Sequence, residues 1–231
     1  MELLQCNNIY KNYGKKEVLK DINLTIKSGR IVGLLGKNGM GKTTLIKIIN
    51  DLLTPTSGEV LVNGKKIGIE SKKDIAYLPE RTYLDKTMTV ERVIKFFEEF
   101  YDNFDTEKAR KLLKDLELDS TMKLSKMSKG MLEKVQLVLV MSRKAKLYIL
   151  DEPLGGVDPA TRDYILDTIL SNFNEEASIL ISTHFISDIE RILDDVIFID
   201  KGQIVLISDT DELRNKENSS IDDIFRRMFK C

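Results

Sequence analysis

The chain has 231 residues, of which 42% are hydrophobic, so it can build the core of one large domain or of two small ones. Its 36 Lys and Arg residues balance 37 Asp and Glu residues, and the net charge of -1 excludes a global field that would attract nucleic acid or anionic lipid. The start lacks a basic segment followed by an apolar core, and no apolar run approaches the roughly 18 residues that span a bilayer, so the sequence predicts a chain that alone is neither secreted nor membrane-spanning. Cys6 and Cys231, in unrelated contexts at opposite ends, favour a reducing cytosol over a disulfide or a metal site.

The first part of the chain predicts an antiparallel β region that leads into a parallel sheet. Residues 3–10 and 18–26 have strand character with a basic turn between them, and Ser28-Gly29 precedes an apolar strand at 31–35. The elements predicted next are a helix over 43–50, a hairpin with its first strand at 59–62 and its turn at Asn63-Gly64, and a short strand at 75–78.

The middle of the chain changes to apolar residues at helical spacing, which predicts an inserted group of helices over 90–101, 106–116 and 128–141. Strands and helices then alternate, which is typical of a parallel sheet wrapped by helices, with ligands at the carboxyl ends of the strands. The strands are predicted at 147–150, 178–182, 196–200 and 203–207, and the helices at 159–173 and 186–193. Residues 215–220 are predicted to be a loose linker before a short amphipathic helix at 221–229.

A phosphate-binding loop is predicted between the strand at 31–35 and the helix at 43–50. The pattern G-x-x-x-x-G-K-[ST] is met by Gly36, Gly41, Lys42 and Thr43, and the whole loop consists of Gly36, Lys37, Asn38, Gly39, Met40, Gly41, Lys42, Thr43 and Thr44. Glycines let backbone N–H groups point at a polyphosphate, the lysine adds a charge, and the threonine hydroxyl is a ligand for Mg²⁺. A chance glycine-rich turn is the alternative, and the strand before and helix after disfavour it.

Two carboxylates follow the apolar strand at 147–150. In a phosphate-loop protein, a carboxylate at the end of a neighbouring strand holds Mg²⁺, which is the role expected of Asp151. Glu152 lies one residue further and is positioned to act as a general base on an attacking water. Taken alone, Asp151-Glu152 is as readily explained by a solvated turn after a strand.

His184 is the single histidine and follows the strand at 178–182. It is expected at the same sheet edge as Asp151, where an imidazole can stabilise developing charge and orient water. An isolated histidine is more often a structural surface or core residue. Residues 127–131 form another element, in which Ser128, Lys129 and Gly130 open a helix; a second anion-binding helix N-terminus and a plain helix cap are both compatible with it.

These stretches, in this order and at these separations, resemble the nucleotide-binding subunit of an ABC (ATP-binding cassette) transporter, over nearly the whole chain. The resemblance implies an α/β P-loop NTPase (RecA-like) core with a parallel sheet, an N-terminal antiparallel β region and an inserted α-helical subdomain. It implies one domain over 1–231, with the core at 1–88 and 142–215, the helical subdomain at 89–141 and a helical tail at 216–231.

The resemblance also assigns roles to individual residues. The loop at 36–44 is similar to the Walker A motif, and residues 147–151 to Walker B with Glu152 as the catalytic carboxylate and His184 as the switch histidine. The other implied assignments are Tyr13 and Val18 at the adenine, Glu80 in the position of the Q-loop glutamine, Ser128, Lys129, Gly130 and Met131 as a variant signature motif acting on another chain, Lys134 as the basic residue after that motif, Gly155, Gly156, Val157 and Asp158 as the D-loop, and Thr43, Glu80 and Asp151 around Mg²⁺.

The implied activity is hydrolysis of ATP with Mg²⁺ by a head-to-tail dimer of this chain with itself or with a paralogous ATPase subunit. The partner is an integral membrane permease, nucleic acid is not expected as a ligand, and the location is peripheral on the cytoplasmic face of the cell membrane. Glu80, Lys129 and Met131 depart from the usual motifs, and this Ser-Lys-Gly-Met form favours an exporter. A soluble cassette ATPase and a weakly hydrolysing nucleotide-gated regulator are the alternatives.

Overall fold

The computed structural model describes residues 1–155, 158–172 and 176–230. Among these residues, no helix combines the length and the apolar character needed to cross a bilayer. Ten strands lie in the described ranges, at Glu2–Tyr13 (β1), Lys16–Lys27 (β2), Ile31–Leu35 (β3), Ser57–Val62 (β4), Lys65–Lys66 (β5), Ile75–Leu78 (β6), Leu147–Asp151 (β7), Ser178–Thr183 (β8), Asp195–Asp200 (β9) and Gln203–Asp209 (β10).

The helices alternate with these strands and include a consecutive group of three in the middle of the chain. Their bounds are Lys42–Ile49 (α1), Ile69–Asp74 (α2), Val90–Phe100 (α3), Thr106–Asp115 (α4), Lys129–Met141 (α5), Pro159–Asn172 (α6), Ile186–Ile189 (α7), Thr210–Glu217 (α8) and Ile221–Phe229 (α9). The starts of α3, α4 and α5 are fixed by Thr89, Asp105 and Ser128, whose side chains accept backbone N–H groups that have no partner within the helix.

Two sheets provide the frame. The first is antiparallel with the order β2-β1-β4-β5, and the second has the order β10-β9-β3-β8-β7-β6. In the second sheet β3 pairs in parallel with β8 and β9, β7 pairs in parallel with β8 and β6, and only the β9–β10 pairing among those observed is antiparallel. Because β3, β6, β7 and β8 all run the same way, the loops after them meet at one edge.

Apolar residues form two cores, one on each side of the larger sheet. One core joins the antiparallel sheet to α1 and includes Ile9, Ile22, Leu45 and Ile149. The other lies on the opposite face and packs α3, α4, α5 and α6 against the sheet, with Phe97, Leu139 and Ile165 in its interior. The helical insert is therefore held to the sheet by a continuous apolar interface rather than by loops alone.

The structure confirms the predicted fold class and corrects several elements. β1 and β2 are longer than predicted and leave only Gly14 and Lys15 between them; the predicted basic turn is mostly strand. The linker predicted at 215–220 is wrong in its first part, because α8 extends to Glu217 and ends at Asn218 in a left-handed conformation. The helix predicted over 186–193 is shorter, a four-residue α7 followed by a 3₁₀ turn at Glu190–Ile192, and α2 was not predicted. Phe173, the end of the helix predicted over 159–173, and Cys231, one of the two cysteines, lie outside the described residues.

Candidate nucleotide-binding site

The loop between β3 and α1 requires glycine at two points of close approach. A Cβ atom at Gly36 would lie 2.6 Å from the Ile199 carbonyl oxygen of neighbouring β9. At Gly41 the backbone has φ +109°, and a Cβ atom would lie 2.7 Å from Leu19 Cδ2. A side chain at Gly36 would collide with the backbone of β9, and one at Gly41 would meet the Leu19 side chain and hold a strained φ. Glycine therefore keeps the loop against the sheet at the start of α1, where the first N–H groups have no partner within the helix.

Lys42 closes this loop on itself. Its ammonium group donates to the carbonyl oxygens of Gly36 at 2.6 Å and Lys37 at 3.4 Å, and its side chain is only 6% exposed. Burial lowers the pKa of Lys42, and the carboxylates of Glu152, Asp151 and Glu80 oppose that shift. A buried cation held by two backbone carbonyl groups and the Glu152 carboxylate can exchange these partners for an incoming anion.

Glu152 lies at the centre of the site. Its Oε1 atom is 3.7 Å from Lys42 Nζ, and its Oε2 atom is 2.9 Å from His184 Nδ1. The backbone of Glu152 has φ +51°, and its N–H donates to the Ser182 carbonyl at 2.9 Å, so the chain turns sharply as it leaves β7. A left-handed conformation at a non-glycine residue costs energy, and here it aims the carboxylate back toward the phosphate loop.

Asp151 ends β7 next to the start of α1. The residue is 1% exposed, and its Oδ1 accepts a short hydrogen bond from the Ser182 hydroxyl. Burial raises the pKa of Asp151, and the hydroxyl groups of Ser182 and the nearby Thr43 oppose that shift.

Residues at this edge suit Mg²⁺ that is delivered with a nucleotide. Asp151 Oδ2 is buried without a hydrogen-bond partner, and the hydroxyl of Thr43 lies near the same carboxylate. In the described part of the chain no three His, Cys, Asp or Glu side chains form a group that could hold a metal ion. The Asp151 carboxylate and the Thr43 hydroxyl are a donor set that fits Mg²⁺, because this ion binds through one or two protein oxygens and completes its shell with water and substrate phosphates.

An open cleft of about 880 Å³ lies over these residues. The predicted site residues that line it are Val18, Asn38, Gly39, Gly41, Lys42, Thr43, Thr44, Glu80, Lys129, Glu152, Gly155 and His184. Residues that sequence reasoning missed also line it: Arg81, Thr82, Lys86, Leu132, Glu133 and Gln136. Glu133 and Gln136 lie within an amphipathic helical pattern that does not indicate a role in chemistry. For Arg81, Thr82 and Lys86, the only available signal was their position in the segment that follows β6.

Several predicted residues lie outside the lining of the cleft. Tyr13 is half exposed at the end of β1, with Lys11 Nζ 5.1 Å from the centre of its ring. The Lys37 side chain turns away and donates to the Phe229 carbonyl of α9 at 2.7 Å. Met40 accepts from the N–H of Lys201 through its sulfur at 3.3 Å.

The predicted D-loop is described only in part, since Gly156 and Val157 lie outside the described residues. The carboxylate of Asp158 accepts from the N–H and the hydroxyl of Thr161 at 3.0 and 2.7 Å, so it caps α6. His184, which follows β8, is 43% exposed and rests on the ring of Phe185, with 4.0 Å between the ring centres.

The predicted signature motif forms the exposed start of α5. The Ser128 hydroxyl accepts from the Met131 N–H at 3.2 Å, as a helix cap does. Lys129 is exposed and 3.6 Å from Glu133 one turn along, whereas Met131 packs against the apolar core. The remaining N–H groups of this helix end face outward without an intrahelical partner.

Comparison with known proteins decides the family. The sequence model described as ABC transporter matches residues 19–155, which is more than half of the chain. The chain belongs to the ABC transporter ATP-binding family. This cassette is 32% identical over 217 residues to the ABC transporter ATP-binding protein YtrB of Bacillus subtilis, covering 93% of this chain and 74% of YtrB.

Two further likenesses extend over nearly the full length. The cassette is 30% identical over 226 residues to the lantibiotic transport ATP-binding protein SrtF of Streptococcus pyogenes, covering 93% of this chain and 94% of SrtF. A solved structure of the ATP-binding subunit of an ABC transporter superposes with a TM-score of 0.89 at 29% identity, covering 98% of this chain and 99% of that one. Members of this family are ATPases, so this cassette is an ATP-binding ATPase subunit of the transporter type.

Proposed function

We propose that this cassette hydrolyses ATP to drive export of a substrate through a separate integral membrane permease. The observation that carries the proposal is the position of Glu152, whose carboxylate lies between Lys42 at 3.7 Å and His184 at 2.9 Å, at the edge where the phosphate loop and Asp151 meet. A general base beside the phosphate-binding lysine is the arrangement that hydrolysis of a terminal phosphate requires.

The chain's own groups account for binding and proton transfer. Backbone N–H groups at the start of α1 bind the phosphates, and these phosphates replace the Gly36 carbonyl as partners of Lys42. Glu152, released from Lys42, accepts a proton from the attacking water, and His184 holds the other oxygen of that carboxylate in place. Thr43 and Asp151, with Glu80 near them, would hold Mg²⁺, and the ion would neutralise charge on the phosphates.

A second cassette completes the site. The start of α5 is exposed at Ser128 and Lys129, and its free N–H groups can bind a terminal phosphate as the start of α1 does. We place this end over the ATP bound to another chain, in a head-to-tail dimer of identical or paralogous cassettes. Each chain then holds half of each complete site, and dimer closure depends on ATP.

The permease is proposed to dock in a groove of about 500 Å³ that is lined by Pro79 and Arg81, the two chain neighbours of Glu80. Aromatic side chains line much of its wall, and basic side chains border it: Tyr77, Tyr83, Phe97, Phe100 and Tyr101 are the aromatic residues, and Lys47, Lys72, Arg81 and Arg143 the basic ones. Tyr83 is 60% and Phe100 67% exposed, an unusual amount for large apolar rings. A cytoplasmic helix of the permease with apolar residues and at least one carboxylate matches this lining.

Export is favoured by the Ser-Lys-Gly-Met form of residues 128–131, and SrtF, a relative named for lantibiotic transport, is compatible with it. We place the cassette on the cytoplasmic face of the membrane, held there by the permease.

The test combines hydrolysis with recovery of the partner. ATP turnover is measured at increasing protein concentration, and the cassette is then isolated from detergent-solubilised membranes of its own host. The proposal expects turnover that rises more than linearly with concentration and a bound integral membrane protein. Recovery in a complex that lacks any membrane protein would instead support a soluble cassette ATPase, and absence of turnover at high concentration a nucleotide-gated regulator.

A further inference from the structure

A small pocket lies below the nucleotide cleft, between α5 and the carboxyl ends of β6 and β7. Gln136 and Glu133 line it from α5, and Glu80, Asp151 and Glu152 line it from the sheet edge. Its volume of about 10 Å³ is close to the space that a single water molecule occupies. The pocket is therefore a point at which the helical insert and the hydrolytic edge can share one hydrogen-bonded group.

Three oxygen atoms from the lining residues are buried and have no hydrogen-bond partner: Gln136 Oε1, Glu133 Oε2 and Asp151 Oδ2. Gln136 as a whole is only 5% exposed, although its neighbours on α5 are apolar. Buried polar atoms are nearly always hydrogen-bonded, because burial without a partner costs the full hydration energy of the atom. Three such atoms around one small pocket indicate a missing donor.

The chemistry of the lining identifies that donor. All three atoms are acceptors, so another acceptor would not satisfy them. The described residues contain no group of three carboxylate, His or Cys side chains able to hold a metal ion, and the pocket is too small for an organic ligand. A water molecule fits the volume, and its two O–H donors serve the two residues that are almost fully buried, Gln136 and Asp151; Glu133 also lines the open cleft.

We propose that one water molecule occupies this pocket and that Gln136 is a positioning residue of the ATPase site, acting on Asp151 through that water. The water donates one O–H to Gln136 Oε1 on α5 and the other to Asp151 Oδ2. Since α5 begins at the signature motif, a shift of this helix changes the hydrogen bonding of the carboxylate that faces Thr43. The consequence for catalysis rests on the proposed magnesium role of Asp151, whereas the presence of the water does not.

A high-resolution crystal structure of the nucleotide-free cassette tests the water directly. The expected result is an ordered water within hydrogen-bond distance of Gln136 Oε1 and Asp151 Oδ2, and its loss in Gln136→Met, which keeps the length of the side chain and removes its polar atoms. A dry pocket or a bound metal ion in the wild-type protein would overturn the proposal.

Kinetics test the positioning role. For Gln136→Met we expect kcat for ATP to fall about three- to tenfold, the effect of one lost hydrogen bond, while KM for ATP stays within about twofold. The Mg²⁺ concentration that gives half-maximal binding of a fluorescent ATP analogue should rise, whereas the melting temperature should change little, because methionine fills a similar volume among the apolar neighbours of Gln136 on α5.

Leu139→Met, a buried change on the same helix away from the pocket, is the matched control and should retain wild-type values for turnover and Mg²⁺ dependence. Equal kcat and Mg²⁺ dependence in wild type and Gln136→Met would refute the positioning role. Absence of hydrolysis by the wild-type protein would count against the proposed function alone, since the crystallographic test of the water is independent of turnover.

Discussion

We propose that two helices of this cassette bind phosphate at their N-termini, and the surroundings of these two helix ends are opposite. At the start of α1, Lys42 is 6% exposed and already bonded to the loop that it serves, and Glu152 and Asp151 stand within the same chain. At the start of α5, Ser128 and Lys129 are exposed, and Ser128 bonds only to its own helix. The N-terminus of α1 is thus buried in the fold, and that of α5 is exposed on the surface.

This difference in exposure suits the start of α1 to binding nucleotide and the start of α5 to completing the site of another chain. An embedded helix end with a buried lysine can bind a triphosphate within one chain, because its charges are prearranged and poorly solvated. An exposed end is strongly hydrated and gains affinity only when a second surface excludes water from it. We therefore expect mutations at the start of α1 to change ATP affinity of the single chain, and mutations at the start of α5 to change turnover at high protein concentration.

Glu152→Gln should have the largest effect. The amide cannot accept the proton of the attacking water, so turnover should fall about a thousandfold, while ATP binding is retained and an ATP-bound dimer accumulates. Single-turnover hydrolysis and size-exclusion chromatography with ATP measure the two outcomes. Turnover at the wild-type rate would remove Glu152 from the role of base.

Lys42→Ala should weaken ATP binding about a hundredfold, since it removes a charge-assisted hydrogen bond at a buried position. Equilibrium titration with a fluorescent ATP analogue gives the affinity of the isolated chain. Lys114→Ala, an exposed residue in the last turn of α4, is the control and should bind like wild type. Unchanged affinity in Lys42→Ala would contradict the assignment of the phosphate loop.

Substitutions at Ser128 distinguish its role as a helix cap from contact with a phosphate. Asp and Asn both cap helices well, so Ser128→Asp and Ser128→Asn should unfold at nearly the wild-type midpoint. The carboxylate repels a terminal phosphate across a dimer, so the Asp variant should lose about tenfold in turnover at high protein concentration, and the Asn variant less. ATP affinity of the monomer should match wild type in both, and a loss there would mean that α5 serves its own chain's nucleotide.

Glu80→Gln should have the smallest effect. The variant keeps an oxygen ligand but removes a negative charge near Lys42 and Asp151, so the Mg²⁺ concentration for half-maximal hydrolysis should rise about threefold. Mg²⁺ titration at saturating ATP measures it. A lower requirement for Mg²⁺ would show that Glu80 acts by repulsion at this edge and is no ligand.

Much of the fold could be predicted because the signals were local. The apolar runs at 31–35 and 147–150 predicted buried parallel strands, and α9 has the predicted bounds Ile221–Phe229. The polar helix α8 was missed because only Thr210 and Leu213 on it are buried, which leaves little periodicity; Asp209, which caps it, was the available signal. The extra length of β1 and β2 comes from pairing between them, which local hydropathy does not encode.

In the candidate site, too, features encoded by adjacent residues were predicted, and features that depend on tertiary contacts were not. Glycine, lysine and threonine at fixed spacing encode the phosphate loop, so its position was predicted from adjacent residues. Gln136 was not, because its environment depends on how α5 crosses the ends of β6 and β7, and a single glutamine in an apolar helix has no spacing to reveal it. The contact of Glu152 with His184 joins residues that follow two different strands, so the sequence supplied only the expectation that they share an edge.

The bond from Lys37 to the Phe229 carbonyl joins the phosphate loop to the last turn of α9, and Phe225 and Phe229 pack with Phe198 to hold that turn in place. The carboxyl-terminal turn of α9 is therefore tied to the phosphate loop through the Lys37 side chain. A purification tag or fluorescent protein fused after α9 is expected to disturb this contact and so to change the affinity for nucleotide. The amino terminus, 3.4 Å from Ser28 Oγ at the amino end of β3, is the opposite end of the same sheet and the quieter place to attach one.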